Sequence, residues 1–371
     1  MATAEETTAS IHTMKCKNCG ASLKFAPGTH SLKCEFCNVM NDIPSAKQAT
    51  AVEEIDYEKF LNEHNVSADE KHEIVTVKCT ACGASSTLKP NVSSDNCPFC
   101  DNALIVADGS TSSIIKPKYL LPFAIDKKTA FDDFGKWIKG LWFAPGNLVK
   151  AADNIDKFNG MYIPYWTYTA DTSSDYTGMR GVDYTVEETY TTTENGEEVT
   201  QTRSVTRTDW IPVSGTVNQN FNDLLVVASK SLPQNYTRSL EPWDIQKLTS
   251  YDDGFLAGFR TEVYQVDVKD GFDDAKKLMS AAINQTVESD IGGDHQQISS
   301  VSTDFEDITF KHILLPIWLS AYRYNNKVYH FMVNGRTGAV KGERPYSAFK
   351  IAALVIAVLA TIATIVMLVK K

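Results

Sequence analysis

The chain has 371 residues, of which 46 are acidic and 36 are basic, so its formal net charge at pH 7 is −10. This length allows two or more domains with a substantial core. The acidic balance argues against a general affinity for nucleic-acid phosphates, which requires a positive field.

The N-terminal segment, residues 1–13, contains Glu5 and Glu6 but neither a basic residue nor an apolar run. A secretory signal needs both features, so none is predicted. We expect this segment to be a short disordered tail.

All eight cysteines precede residue 101 and fall into four C-x-x-C pairs. A gap of 14 residues separates the pairs within each half, and the second half repeats the first with an offset of 63. The flanking residues repeat as well, because Gly20-Ala21-Ser22 and Gly83-Ala84-Ser85 follow the first pair of each half. The pairs are Cys16/Cys19, Cys34/Cys37, Cys79/Cys82 and Cys97/Cys100.

This spacing predicts two zinc ribbons, over residues 14–42 and 76–106. A C-x-x-C turn points two thiolates at one tetrahedral ion, and two such turns complete a site of four cysteines. A site closed by four thiolates has no open position for water, so we predict two structural Zn²⁺ ions with all eight cysteines as ligands. Gly20 and Gly83 are expected to turn the chain with positive φ.

Other uses of the cysteines are less consistent with the sequence. Four disulfides would require an oxidising compartment, and a redox C-x-x-C is usually single and adjacent to a βαβ unit. An iron–sulfur centre or a single iron held by four thiolates uses the same ligand type, so both alternatives stay open. The question of which pairs close together stays open as well. Reduced, metal-bound thiolates would place residues 1–100 in the cytosol.

The charge of the ribbon region favours a protein partner over nucleic acid. Residues 1–105 contain nine lysines and no arginine against fourteen acidic residues, a balance of −5. No basic stripe interleaved with aromatic residues is present. We therefore expect the ribbons to bind protein or to give structural support.

Two connecting segments are predicted around the second ribbon. Residues 43–75 are interpreted as a linker with a short amphipathic helix over 50–64 that packs on a ribbon. Residues 107–118 are rich in Ser and Thr and are interpreted as a joint before the next domain.

Residues 119–346 are predicted to form an α+β domain with an internal strand–helix–strand duplication. Two short strands, predicted over 121–126 and 264–268, each lead into a helix that opens near Phe-Asp-Asp, at 131–133 and at 272–274. The acids suit the first turn of a helix. Each unit continues with a strand that contains proline and aromatic residues, over 163–168 and 315–322.

The first unit carries an insertion over residues 176–214 that is interpreted as a long β-hairpin. Residues 183–210 alternate in character on both sides of Asn195-Gly196, a dipeptide typical of a two-residue hairpin turn. The second unit is compact, with strands predicted over 314–324 and 327–333. Residues 282–306 are polar and are expected to hold a helix end, a loop at Gly292-Gly293 and an edge strand.

Known catalytic signatures are absent from the sequence. It contains no G-x-x-x-x-G-K-[ST] loop, no H-E-x-x-H and no G-x-S-x-G elbow. His312 and His330 fall on neighbouring predicted strands and are interpreted as structural residues. We predict that the protein is not an enzyme.

A C-terminal transmembrane helix is predicted over residues 349–369. Residues 351–369 contain no charged side chain and would span roughly 28 Å as a helix, close to the thickness of a bilayer core. Basic residues lie on both sides of this run, so their distribution does not set the orientation. The reduced cysteines favour a single-pass protein with its N-terminal bulk in the cytoplasm.

These features together resemble the YdjG-like bacterial membrane-anchored zinc-ribbon proteins, also described as TFIIB-type zinc-ribbon or primosomal-helicase-like. The resemblance rests on the paired ribbons, Leu315-Pro316-Ile317-Trp318, the segment Val333–Gly338 and the membrane span. It implies an adaptor that brings an SPFH/flotillin-like or phage-shock-like protein to the membrane in envelope stress. The alternative is a membrane-tethered nucleic-acid-binding protein.

Overall fold

The computed structural model has a sheet-rich body, small sheets formed by the cysteine-containing segments, and one apolar helix at the C-terminal end. It describes residues 14–43, 53–62, 71–80, 84–87, 94–97, 99, 103–105, 109–146, 148, 158–194, 197–232, 237–324 and 327–369. The strands are β1 Leu23–Phe25, β2 Ser31–Cys34, β3 Met40–Asp42, β4 Ile55–Asp56, β5 Lys71–Lys78, β6 Ser85–Thr87, β7 Ser94–Asn96, β8 Ala103–Ile105, β9 Gly109–Ile115, β10 Tyr119–Leu120, β11 Asn159–Glu194, β12 Glu197–Val227, β13 Thr249–Ser250, β14 Arg260–Thr261, β15 His295–Tyr324, β16 Lys327–Asn334 and β17 Val340–Gly342. The helices are α1 Tyr57–Asn62, α2 Lys127–Lys139, α3 Asp253–Leu256, α4 Val268–Ile291 and α5 Ala348–Val369, with a 3₁₀ turn at Ile245–Lys247.

The cysteine-containing segments form three small antiparallel sheets. Strands β1, β2 and β3 make the first, β6, β5 and β9 the second, and β7 and β8 the third. The interpretation of residues 107–118 as a joint was wrong over most of its length, since β9 pairs with β5 from Lys71–Ile115 to Val77–Gly109. The segment contains Thr111 and ends in Ile114-Ile115, residue types that are enriched in strands.

The body is built on one large sheet in which β11 lies between β12 and β15. Strands β11 and β12 pair from Tyr165–Val227 to Glu194–Glu197, so the hairpin predicted over 183–210 is present. Its Asn195-Gly196 turn lies outside the described residues. The pairing of β15 with β11 runs from Asn159–Leu319 to Gly181–His295.

Beyond Gly181 the described part of this sheet continues as two strands alone. We call residues 182–194 and 197–209 the distal ribbon. At about 3.3 Å per residue its strands extend roughly 43 Å. The paired strands together extend from Tyr165 to Val227, so the hairpin is longer than the insertion predicted over 176–214. Its base is part of the central sheet.

Helix α4 covers one face of the large sheet. Its buried side chains recur at helical spacing and contact β11 and β15, and they are Val268, Phe272, Ala275, Met279, Ile283, Val287 and Ile291. Burial of such a stripe is the main source of helix stability in a protein.

The prediction that the Phe-Asp-Asp acids begin the two helices was wrong. Asp126 caps α2 by accepting from the backbone N–H of Thr129 at 2.8 Å, and Asp267 caps α4 by accepting from Asp270 at 2.8 Å. In each case the capping aspartate lies in the loop between the preceding strand and the helix, five residues before the phenylalanine. A cap needs extended rather than helical backbone, which this loop position provides.

The short helix of the first linker packs on the body, which corrects the expectation that it packs on a ribbon. Tyr57 contacts Phe272 with ring centroids 4.7 Å apart, and Phe60 contacts Phe310 at 5.1 Å. The preceding strand β4 pairs with β15. Glu54, next to it, forms an ion pair with the buried Lys311 at 2.8 Å.

Two sets of contacts in the body repeat each other. The indole N–H of Trp166 donates to the carbonyl of Val266 at 2.8 Å, and that of Trp318 donates to Ile125 at 3.2 Å. Each acceptor immediately precedes a capping aspartate. Strand β10 pairs in parallel with β15, and β14 pairs in parallel with β11. The two proline-containing segments lie side by side in antiparallel orientation, with Ile163 opposite Leu315.

Helix α5 is long and apolar enough to span a membrane. Its apolar side chains are exposed rather than packed against the body. This distinguishes it from a core helix of the same composition.

Candidate metal centre and ribbon surfaces

The first four cysteines converge on one point. The sulfur atoms of Cys16, Cys19, Cys34 and Cys37 all lie within 4.8 Å of one another. Cys16 and Cys37 are 3.6 Å apart, and Cys19 and Cys34 are 3.5 Å apart. A tetrahedral Zn²⁺ with Zn–S bonds of about 2.3 Å separates its sulfurs by roughly 3.8 Å. The geometry therefore fits one tetrahedral ion, and the first two C-x-x-C pairs close together.

Backbone turns hold the four sulfurs in place. In the first turn the N–H of Cys16 donates to the carbonyl of Ala21 at 2.8 Å, and Gly20 has φ +71° as predicted. In the second turn the N–H of Asn38 donates to the carbonyl of Cys34 at 2.9 Å, with φ +58° at Asn38. Asparagine tolerates this left-handed region, so it takes the role that glycine has in the first turn.

A buried asparagine next to the sulfurs was not identified from the sequence. The side chain of Asn41 accepts from the backbone N–H of Lys17 at 3.2 Å, and its amide nitrogen lies 3.9 Å from the Cys16 sulfur. Such contacts orient a metal ligand and compensate its charge. A single asparagine in a short strand carries no recognisable sequence signal, which explains the omission.

The surroundings of the sulfurs favour thiolates, but not four of them together without a cation. The backbone N–H groups of Cys19 and Asn18 lower the pKa of Cys16 to about 6, and that of Val39 lowers the pKa of Cys37. Although the N–H of Ala21 acts in the same direction at Cys19, the neighbouring sulfurs raise the pKa of Cys19 to about 12. A divalent cation would remove this repulsion.

In the second cysteine-rich segment the structure describes two of the four predicted ligands. Cys79 and Cys97 are both buried, whereas Cys82, Cys100 and Gly83 lie outside the described residues. The N–H of Cys79 donates to the carbonyl of Ala84 at 2.8 Å, the same bond that Cys16 makes with Ala21. One hydrogen bond of the first turn thus recurs between described residues of the second segment.

The phenylalanine of the repeated Cys-x-Phe-Cys pattern has opposite surroundings in the two copies. Phe36 is 81% exposed, and Val39 and Met40 beside it are exposed too. Phe99 is 1% exposed and belongs to a core that includes Leu121. One copy therefore presents an apolar surface and the other uses the same residue for packing.

Both segments are fastened to the body. In the first, the N–H of Phe25 donates to Ala257 at 2.9 Å, and that of Gly28 donates to Phe123 at 2.8 Å. In the second, the carbonyl of Ser85 accepts from the N–H of Val263 at 3.4 Å. The first cysteine cluster is thus held in a defined position.

A buried carboxyl group that the sequence analysis did not single out lies beside β14. Glu262 is 2% exposed and accepts hydrogen bonds from the hydroxyls of Ser229, at 2.9 Å, and Ser231. Burial raises its pKa to about 7, although the two hydroxyls oppose this effect. Glu262 is therefore a buried group that titrates near neutral pH.

His312 and His330 lie on the adjacent strands β15 and β16, as predicted. The Nδ1 atom of His312 is 2.8 Å from the carbonyl oxygen of Ile115, and burial lowers the pKa of His312 to about 4. The ring also contacts Trp166 with centroids 4.7 Å apart. These contacts make His312 a neutral residue of the core.

Comparison with known proteins gives one relative over nearly the whole chain. The chain is 28% identical over 352 residues to the uncharacterized protein YdjG of Bacillus subtilis (strain 168), and the alignment covers 92% of this chain and 93% of that protein. No family model and no solved structure matches the chain. The similarity supports a YdjG-like protein. The name of the relative mentions no metal, no membrane and no partner.

Proposed function

We propose that the protein is a membrane-anchored adaptor whose first ribbon recruits a cytosolic protein partner. The observation that carries the proposal is the exposure of Phe36, together with Val39 and Met40, on both sides of Cys37 in the sequence. Burying one phenylalanine contributes about 1.5–3 kcal/mol, so this patch offers a substantial part of a binding energy. The buried Phe99 indicates that the same sequence pattern does not require exposure.

The position of this patch suits recruitment. The cluster is rigid because four cysteines and the turns around them hold it, so little ordering entropy is lost when a partner binds. Lys24 and Glu35 next to the patch pair with each other at 2.6 Å. An SPFH/flotillin-like or phage-shock-like partner, which the resemblance implies, would dock an apolar pocket on Phe36.

The metal assignment belongs to the same proposal. We assign one structural Zn²⁺ to the first cluster and a second to Cys79, Cys82, Cys97 and Cys100. The bond from Cys79 to Ala84, equal in length to that from Cys16 to Ala21, supports the second site. Zinc supplies the cross-link that so small a sheet needs, because three strands of three or four residues bury too little apolar surface alone.

We also propose that the body arose by duplication of a strand–helix–strand unit. Three matched features support it: the two tryptophan hydrogen bonds, the two aspartate caps and the two parallel strand pairs. In this arrangement the tryptophan of each unit holds the helix start of the other unit.

Helix α5 serves as the single membrane anchor in this proposal, with the N-terminal bulk in the cytoplasm. The support is its exposed apolar surface and its length. The cysteine cluster supports the orientation, because thiolates persist in the reducing cytosol.

The test is crosslinking and affinity purification of the full-length, detergent-extracted protein with and without nuclease treatment, comparing wild type with Phe36→Ser. Tyr190→Ser, which removes an exposed aromatic residue of the distal ribbon, is the matched control. We expect an SPFH-like or phage-shock-like protein with wild type and the control, and its loss with Phe36→Ser at unchanged metal content. Equal recovery of the partner with wild type and Phe36→Ser would refute the proposal that the partner binds the patch around Phe36. Recovery of nucleic acid that nuclease removes would favour the alternative function.

A further inference from the structure

We propose that the protein contacts the bilayer at a second place, through the loop of residues 140–146. With Tyr346 and Phe349 this loop would form an aromatic collar that rests in the headgroup region around the base of α5. The inference depends on the proposed anchoring by α5 and adds a second contact between the body and the membrane surface. The occupant of this surface is the lipid interface.

The loop is fastened to the first turn of the apolar helix. The backbone N–H of Ser347 donates to the carbonyl of Phe143 at 2.7 Å. The ammonium group of Lys350 donates to the carbonyls of Trp142 and Ala144, at 3.1 Å and 2.8 Å. Three bonds thus join seven residues of loop to the residues that immediately precede the uncharged run.

This attachment fixes the depth of the loop. Lys350 directly precedes Ile351, where the uncharged run begins, and one residue of helix advances about 1.5 Å. If residues 351–369 occupy the hydrocarbon core, the side chain of Lys350 lies at the boundary with the headgroups. The carbonyl groups that it contacts must lie at the same level.

The exposed side chains at this level are those that a bilayer interface favours. Trp142 is 79% exposed, and Tyr346 and Phe349 are exposed as well. Tryptophan and tyrosine are enriched at membrane–water interfaces, where the ring is apolar and one end stays hydrated. The loop sequence Gly-Leu-Trp-Phe-Ala-Pro-Gly contains no charged residue that would oppose insertion.

Basic residues surround the collar where lipid phosphates would lie. Lys139 ends α2 directly before the loop, and Arg344 stacks over Tyr346 with its guanidinium carbon 5.1 Å from the ring centroid. Lys341 is exposed on β17 nearby in sequence. A cationic rim around an aromatic centre is the arrangement that binds an interface with anionic headgroups.

As a consequence, the orientation of the body relative to the membrane would be restricted. An aromatic loop and a helix that are bonded to each other would touch the bilayer together, so the first ribbon would face a defined direction. Recruitment would then present a partner in one orientation.

The test uses the full-length protein reconstituted in phosphatidylcholine–phosphatidylglycerol vesicles that contain lipids brominated near the headgroup. Tryptophan fluorescence is compared between wild type, Trp142→Phe and Trp210→Phe. Trp210 is the matched control, because it is exposed at the root of the distal ribbon rather than beside α5. We expect shallow bromine to quench wild type and Trp210→Phe, and we expect Trp142→Phe to lose most of that quenching.

The same samples separate the two proposals. Vesicle flotation and resistance to alkaline carbonate report anchoring by α5. Protein that floats, resists carbonate and shows equal quenching with and without Trp142 would overturn the aromatic collar alone. Protein that fails to float would overturn the anchor and the collar with it.

Discussion

Cys34 is the most deeply buried sulfur of the first cluster, and its loss should remove the metal. It is fully buried at the end of β2 and lies 3.5 Å from the sulfur of Cys19. We predict that Cys34→Ser lowers the zinc content of the full-length protein by one ion per chain. Structural zinc contributes on the order of 10 kcal/mol to such small domains, so the first ribbon should unfold. The measurement is metal content by mass spectrometry after exhaustive dialysis.

Lys33→Ser is the control for this prediction, because Lys33 is the exposed neighbour of Cys34 on the same strand. It should retain the full metal content. An unchanged ion count in Cys34→Ser would show that the cluster is not a metal site. An iron signal in wild type would instead change the identity of the ion and leave the ligands in place.

Glu262 should make the protein less stable as the pH rises towards neutrality. Its pKa is about 7 in the folded protein against an ordinary value of 4.5. Below pH 4.5 both states are protonated and the group contributes nothing. Between pH 4.5 and 7 the unfolded state ionises first, so stability falls with rising pH, and the full cost of about 3 kcal/mol is present above pH 7.

The variant Glu262→Gln isolates this contribution, since glutamine does not ionise and other groups titrate alike in both proteins. We predict that the thermal midpoint of wild type falls relative to the variant between pH 5 and 7.5, measured in detergent by differential scanning calorimetry. Parallel curves for the two proteins over this range would mean that Glu262 ionises normally in the fold.

Individual residues differ in how far their roles could be predicted. The convergence of the first four cysteines could be predicted from their spacing, since two C-x-x-C turns direct four sulfurs to one point. Asn41 and Glu262 act through tertiary contacts, with the Cys16 sulfur and with Ser229 respectively. Nothing local marks them, so only the folded chain reveals them.

At the level of elements, two helical glycines have opposite surroundings and should respond oppositely to alanine. A Cβ added to Gly135 on α2 meets no atom within 4 Å, whereas at Gly271 on α4 it would lie 2.5 Å from the Tyr168 hydroxyl and 2.8 Å from Trp166. We predict that Gly135→Ala stabilises the protein by about 1 kcal/mol, from helix propensity. Gly271→Ala should destabilise it by about 1–3 kcal/mol, from overpacking.

Chemical denaturation of both variants in detergent tests this pair, with each serving as the control of the other. The same substitution type at two helices removes propensity as an explanation of any difference. A stabilising Gly271→Ala would mean that α4 does not lie against Trp166 and Tyr168 as described.

The existence of α2, α4 and the hairpin could be predicted, while their limits could not. Periodicity and turn residues report whether a helix or hairpin forms, but the cap of α4 depends on Asp267, which the pattern assigned to the preceding strand. The placement of α1 on Phe310 depends on contacts between residues far apart in sequence. A short amphipathic helix specifies one apolar face without specifying its partner.

At the level of the whole molecule, the exposed surface of α5 leads to a prediction about membrane integration. Leu359 and Ile362 are exposed near the middle of the span. Arginine at the centre of a transmembrane helix costs about 2.5–3.5 kcal/mol per residue. We predict that Leu359→Arg/Ile362→Arg loses carbonate-resistant association with membranes.

The control places the same two charges on the distal ribbon, at Tyr190 and Val199, which are exposed and belong to β11 and β12 rather than to α5. This variant should stay in the membrane fraction. Carbonate resistance of the α5 variant would contradict the assignment of this helix as an anchor.

The pairing of β11 with β15 has a consequence for the order of events during synthesis. All four cysteines of the first cluster leave the ribosome early. The residues that attach this segment to the body through hydrogen bonds, Phe123 and Ala257, are synthesised later. The pairing of β11 with β15 forms only once residues 295–319 have emerged. We expect a nascent chain stalled before residue 295 to bind zinc already. A shortage of zinc would therefore impair folding of the first ribbon before the large sheet has formed. Damage to β15 would instead leave a metal-loaded ribbon and an unpaired edge of β11. An unpaired strand edge is a target for chaperones and proteases.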